Sequence, residues 1–171
     1  MIVALDVGYR ERDGTTAGRC AYVGFDEWFS EMAAIEGSTL VNDIAAYVPG
    51  RFFERELPCL LAGLEAFRSV TARSMEAIVV DGHVRLDEAG TPGLGWRLFD
   101  ALGALTPVVG VAKRPFRGLD AIEVLRGESA QPLYVTAVGV DDAIAAGFVA
   151  SMAGPSRVPS MLRQVDRLSR A

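Results

Sequence analysis

The chain is poor in the residues that most metal and redox centres are built from. It has two cysteines, Cys20 and Cys59, and one histidine, His83, in 171 residues. No CxxC spacing occurs, so a structural zinc site of the usual tetrahedral kind is excluded. Two cysteines allow a disulfide by count, but in a reducing compartment a pair of small buried thiols is the simpler expectation. Lysine is nearly absent as well: Lys113 stands alone against sixteen arginines. No stretch reaches the ~18–20 unbroken apolar residues of a membrane span. The N-terminus, MIVALDVGY, lacks a basic segment and puts Asp6 where the apolar run of a signal peptide would continue. A cytoplasmic location with no membrane partner is therefore expected.

A basic excess is missing too. The net charge of −5 argues mildly against a nucleic-acid partner, because such proteins usually carry a basic footprint. The objection weakens when charge is read locally. Acids that serve as metal ligands are neutralised in the working protein. The segments Lys113-Arg114-Pro115-Phe116-Arg117 and Arg157 to Arg170 are basic.

What is present describes an ordinary globular chain. Half of it is hydrophobic and just under a quarter charged, and its length suits one domain around one core. With no repeat, low-complexity tract or linker, a single domain over residues 1–171 is expected, with a monomer as the default. Ile2, Val3, Leu5 and Val7 mark a first strand. A polar turn holding Asp13-Gly14 follows, a strong hairpin signal. The second strand is Cys20 to Phe25, and a third is expected near Phe29 to Ile35. A loop is expected over Ala45 to Pro58, then a helix from about Pro58 to Phe67, where Leu57, Leu60, Leu61, Leu64 and Phe67 recur at helical spacing.

Beyond that point helices and strands alternate. Strands are expected at Ala77 to Val80, Pro107 to Val111 and Leu133 to Val138. Helices are expected around Trp96 to Leu105, from Asp141 through Met152 and over Ser160 to Ser169, the last with Met161, Leu162, Val165 and Leu168 inward. Three antiparallel strands followed by βα units make an α/β protein with a mixed sheet and helices on both faces.

The acids at the strand ends carry the chemistry. Asp6 interrupts an apolar strand, and Asp81 closes Ala77-Ile78-Val79-Val80. A buried carboxylate costs several kcal/mol unless it is paired or metal-bound. Sites in α/β sheets form at the carboxyl ends of strands, and Gly82 after Asp81 permits a sharp turn. Converging carboxylates suit hard cations such as magnesium or manganese, which activate water and stabilise charge in phosphoryl chemistry. The bland alternative is that Asp81 caps its turn and Asp6 meets an arginine.

Read together, five segments narrow the choice. They are Leu5-Asp6-Val7-Gly8-Tyr9; Tyr47-Val48-Pro49-Gly50 with Phe53-Glu54-Arg55-Glu56 and Pro58; Val80-Asp81-Gly82-His83; Val109-Gly110-Val111-Ala112-Lys113; and Arg157-Val158-Pro159. In this order the set resembles the endonuclease V family from Met1 to about Arg167. That resemblance implies a ribonuclease H-like fold and a Mg2+- or Mn2+-dependent endonuclease. Such an enzyme cuts DNA or RNA on the 3′ side of deaminated adenine, the base of inosine. It makes Asp6, Glu56 and Asp81 the metal-binding carboxylates, with Glu54 a nearby competitor of Glu56. It puts Lys113 by the scissile phosphate, where a point charge suits the role. It makes Tyr47, Val48, Pro49 and Gly50 the wedge beside a flipped base. Gly82 and neighbouring backbone would line the base pocket, with His83 close to the metal. Without the family, Tyr47 reads as a core residue, Lys113 as a solvated charge, and His83 as a partner for a backbone carbonyl.

Three departures stand out. The second histidine of the family's turn is replaced by Asp87, and the turn runs Asp81-Gly82-His83-Val84. No histidine follows the strand at Leu133 to Val138, where Gly139-Val140-Asp141 continues. The chain also begins directly at the first strand. Asp87 and Asp141 are each either an added carboxylate or a loop acid or helix cap. The alternative functions are a catalytically weak binder of inosine-containing or branched nucleic acid, and a related nuclease with another substrate.

Overall fold

The structure, a computed structural model, describes residues 1–12, 15–42, 44–45, 48 and 52–171. Among these residues one mixed sheet holds seven strands: β1 Ile2–Arg12, β2 Thr15–Phe25, β3 Ile35–Val41, β4 Ala77–Asp81, β5 Val108–Ala112, β6 Ile122–Val124 and β7 Leu133–Val138. Their spatial order is β3-β2-β1-β4-β5-β7-β6. The β1–β2 and β2–β3 pairs are antiparallel, β1–β4 and β4–β5 are parallel, and β7 runs antiparallel to both β5 and β6. The helices are α1 Phe52–Val70, α2 Leu94–Ala101, α3 Asp142–Ser151 and α4 Ser160–Ser169.

Two apolar layers sandwich the sheet. Met1 and Val3, Leu5 and Val7 of β1 pack with Cys59, Leu60, Leu64 and Phe67 of α1 and Leu98 of α2. Ile2 and Ala4 pack with Ala145, Ala146 and Val149 of α3 and with Met161 and Val165 of α4. The period-two alternation of β1 thus feeds both faces, which is why its apolar run is nearly continuous. The α/β expectation, with an antiparallel three-strand start and helices on both faces, holds. Cys20 and Cys59 are both buried free thiols, and burial raises the pKa of each.

Several boundaries differ from expectation. β1 and β2 are longer, pairing as far as Arg12 opposite Thr15; Asp13 and Gly14 of the expected turn lie outside the described residues. The third strand is Ile35–Val41, not Phe29 to Ile35. In the stretch before it Trp28 stacks on Phe148 with ring centroids 4.8 Å apart, and Phe29 and Met32 are exposed. Apolar residues there follow no period-two alternation, so a strand would have had no coherent inner face. α1 begins at Phe52 rather than Pro58. The intrahelical bond that Pro58 cannot make falls on the Glu54 carbonyl in the first turns, which limits the damage. α2 ends at Ala101, before Gly103 and Ala104 turn to positive φ, so Leu105 is outside it and exposed. The short strand β6 was not expected.

Candidate metal centre and the adjoining recess

Leu5 of β1 lies opposite Val80 of the parallel strand β4. Asp6 and Asp81 follow directly, so both carboxylates stand where β4 ends. β5 pairs with β4 through Val111 opposite Asp81, and Lys113 comes just after β5 ends. On the far side α4 packs across β1 and β2 and presents Asp166. One carboxylate oxygen each from Asp6, Asp81 and Asp166 lie within 4.8 Å of one another. Oxygens ~2.0–2.6 Å from a common cation are at most ~5 Å apart, so this spacing fits a shared ion. A cavity of about 20 Å3 between these side chains has room for one water-sized occupant.

The electrostatics match. Lys113 Nζ donates to Asp81 Oδ2 at 2.7 Å and stands 4.0 Å from Asp166 Oδ1. Arg170 holds Asp166 at 2.6 Å. Half-burial works to lower the pKa of Lys113, but the Asp81 hydrogen bond and the charges of Asp81, Asp166 and Asp6 outweigh it and raise it. Burial raises the pKa of Asp6; a hydrogen bond from Ser169 opposes this, and the Asp81 and Asp166 charges add to the rise. Among the described residues Asp6 therefore meets a serine hydroxyl, at 2.5 Å, and not an arginine. Asp81 escapes a large burial cost, since its side chain is 40% exposed and neutralised by Lys113.

Glu56 arrives from α1, on the opposite face of the sheet. It is outside the close trio but is only 6% exposed, and among the described residues its Oε2 has no hydrogen-bond partner. Burial, then the nearby Asp6 and Asp81 charges, push its pKa up to about 8. Glu54 is only partly buried, whereas the buried Glu56 is close enough to Asp6 and Asp81 to feel both charges. An orphaned buried carboxylate oxygen beside three clustered carboxylates is a hard-oxygen donor set. Such a set fits Mg2+ or Mn2+ and no soft metal.

Next to Asp81 a recess of about 330 Å3 opens between Phe52, Phe53, Leu86, Leu94 and Phe116, with Gly82 and His83 in its wall. That size falls within the usual range for a small-ligand pocket. Gly82 has φ +125°, the sharp turn expected after Asp81. His83 Nε2–H donates to the Arg114 carbonyl at 3.0 Å, and burial lowers the histidine's pKa. Its ring meets Phe116 edge-on at 5.9 Å. The turn is pinned from behind. The Val84 N–H donates to Thr136 Oγ1 at 2.9 Å, and Arg85 holds Asp142 through its two terminal guanidinium nitrogens, at 3.1 and 2.5 Å. Of the expected wedge, Val48 is described and exposed, while Tyr47, Pro49 and Gly50 lie outside the described residues.

Asp87 and Asp141 both resolve as local structure. Asp87 accepts from the Thr91 amide and hydroxyl, closing its own loop. Asp141 caps α3 by accepting from Ala143 N and Ile144 N. The reading of the sequence missed Asp166, Ser169 and the aromatic walls of the recess. It also missed the fastening of α4. The buried Arg126 guanidinium donates to the carbonyls of Met152, Gly154, Ser156 and Arg157. Arg157 in turn donates to the Lys113 and Pro132 carbonyls. The local hint of Asp166 is weak: Leu162 lies four residues back on its helix, which puts the acid at the border of the apolar face without marking it out from the other charges.

No curated protein matches the chain by sequence. Among solved structures, an endonuclease V from Bacillus subtilis superposes with a TM-score of 0.80 at 19% identity, over 97% of this chain and 77% of that one. Endonuclease V from Ciona intestinalis, solved with DNA containing an inosine, gives 0.80 at 16% identity, over 99% and 83%. The catalytic domain of human endonuclease V gives 0.76 at 23% identity, over 99% and 80%. These likenesses establish the fold. The sequence profile described as Endonuclease V matches residues 1–145, most of the chain, and so the protein belongs to the endonuclease V family.

Proposed function

We propose that the protein is a Mg2+- or Mn2+-dependent endonuclease that cleaves the phosphodiester 3′ of inosine in a DNA or RNA strand. The observation that carries this reading is the convergence of Asp6, Asp81 and Asp166 within 4.8 Å, with Lys113 on Asp81. The recess beside Asp81 adds a place for a base. Asp6, Asp81, Glu56 and Asp166 would hold the cation, which when bound supplies a polarised water and charge neutralisation. The chain's own residues do the rest. Lys113, the sole lysine, offers a point charge at the mouth of the site, where a scissile phosphate would enter. Phe52, Phe53 and Phe116 supply apolar faces for a base turned out of its stack, and the Gly82–His83 backbone supplies polar edges. Tyr47, Val48, Pro49 and Gly50 would form the wedge that keeps the strand open. Inosine-containing DNA is bound by the Ciona relative, which supports the same substrate class here.

The test uses end-labelled single strands of DNA and RNA, each with one inosine, in Mg2+, Mn2+ or chelator. A metal-dependent cut just 3′ of inosine, absent in Asp81→Ala, is the expected result. Wild-type-like cutting by both Asp6→Ala and Asp81→Ala would sink the assignment. Tight metal-dependent binding without turnover would instead favour a binder.

A further inference from the structure

α4 lies beyond residue 145, where the family profile ends, yet it touches the candidate metal centre twice. Asp166 enters the carboxylate cluster. Ser169, one turn on and on the same face, is 2% exposed and donates its hydroxyl to Asp6 Oδ2 at 2.5 Å. Its Oγ also lies 2.9 Å from the Asp166 carbonyl. A hydroxyl has one proton to give, and an ionised carboxylate takes it more strongly than a peptide carbonyl. The last turn of α4 reaches Asp6 because β1 carries a glycine on the same face two residues later. A Cβ at Gly8 would stand 2.3 Å from the Ser169 carbonyl oxygen. Arg10 adds a hydrogen bond to the Arg170 carbonyl at 3.0 Å. Gly8 and Arg10 of β1 therefore form a landing site for the end of α4, and what that landing delivers to Asp6 is a single buried hydroxyl.

We infer that Ser169 is a positioning residue of the metal centre: its hydroxyl fixes the Asp6 carboxylate in its cation-binding orientation, and the Gly8 gap seats it. The inference rests on the metal-centre reading above and concerns binding of the cation, so nuclease activity is not needed to test it. Partners that orient metal ligands in this way typically change affinity about 10–100-fold when removed.

The experiment is a Mn2+ titration of the full chain, following free Mn2+ by electron paramagnetic resonance, with thermal unfolding measured alongside. Ser169→Ala should weaken Mn2+ binding about 10–100-fold. Gly8→Ala, which leaves the hydroxyl intact but pushes the helix end away, should weaken it in the same range. Val149→Ala, which opens a cavity in the α3 core, should lower the melting temperature and leave Mn2+ affinity unchanged, separating positioning from general stability. If Ser169→Ala folds poorly, Ser169→Thr keeps the hydroxyl: parent-like Mn2+ affinity supports the inference and its loss overturns it. Unchanged affinity in Ser169→Ala, with Asp6→Asn having lost binding, overturns the inference and spares the metal centre. Parent-like Mn2+ binding by Asp6→Asn overturns the metal centre and the inference together.

Discussion

Replacing Glu56 by glutamine should stabilise the metal-free protein at pH 8 while spoiling its response to metal. The physical basis is the burial of Glu56 beside Asp6 and Asp81, which raises its pKa from 4.5 to about 8. Between those values the folded chain keeps a proton that the unfolded chain has released. Stability from this group is therefore greatest at the acid end and falls as pH rises through the window. At about 1.4 kcal/mol per pH unit the full rise corresponds to roughly 5 kcal/mol. Local relaxation of the side chain towards water brings this to about 2–5 kcal/mol at pH 8. For a chain of this length each kcal/mol moves the melting temperature by about 2–4 °C. In chelator, Glu56→Gln should thus melt about 5–15 °C above the parent at pH 8 and coincide with it near pH 4.5. Excess Mn2+ should close most of this gap, because the parent gains about 2.7 kcal/mol at a hundredfold excess over Kd and the variant much less. Differential scanning calorimetry from pH 4.5 to 8.5, with chelator and with Mn2+, reads all of this. A parent whose melting temperature is flat over that range in chelator, with Glu56→Gln melting at or below it, would refute the reasoning.

Three further outcomes are expected. Lys113→Met removes the 2.7 Å contact to Asp81 and should leave Mn2+ binding intact or tighter, while cleavage falls about 10²–10³-fold, as checked by paired titration and single-turnover assays. Asp141→Ala removes the cap of α3 and should cost about 1 kcal/mol, a melting-point drop of about 2–4 °C, with no change in Mn2+ affinity. Thr136→Val leaves the buried Val84 N–H without its acceptor at a cost of about 1–3 kcal/mol. It should raise KM for an inosine strand more than it lowers kcat, because it loosens the turn that walls the recess and leaves the carboxylates in place.

The strands and the two strand-end acids were legible for one reason: Asp6 and Asp81 break apolar runs that a sheet buries on both faces. The same regularity located β4, β5 and β7 to within a residue or so. It failed for the Phe29 to Ile35 segment, where Phe29 and Met32 are exposed and the apolar residues do not alternate. It failed for the start of α1 because Pro58 is a helix-start signal only when nothing before it can be helical. Here Phe52 to Leu57 continue the helix, with the proline's lost bond confined to the first turns. Glu56 was therefore read as a loop residue, whereas it lies within α1.

Asp166 and Ser169 were poorly legible for a different reason. On an Arg-rich amphipathic helix, an acid flanked by Val165 and Arg167 reads as one more solvated charge, and a serine near the last turn reads as fraying. Their role depends on where α4 lands, and that is set by contacts without local signature: Gly8 opening β1, and Arg126 gathering the four carbonyls of the preceding loop. Arg126 itself explains why this arrangement persists. A guanidinium buried to 7% exposure would be costly alone, but four carbonyl acceptors meet its donors, and burial lowers its pKa. Acids that interrupt a strand announce themselves by the cost of burial. An acid carried in on a helix is visible only once the residues that dock the helix are known, so the fourth carboxylate of such a site is found by asking what seats the last helix and not by scanning for carboxylates.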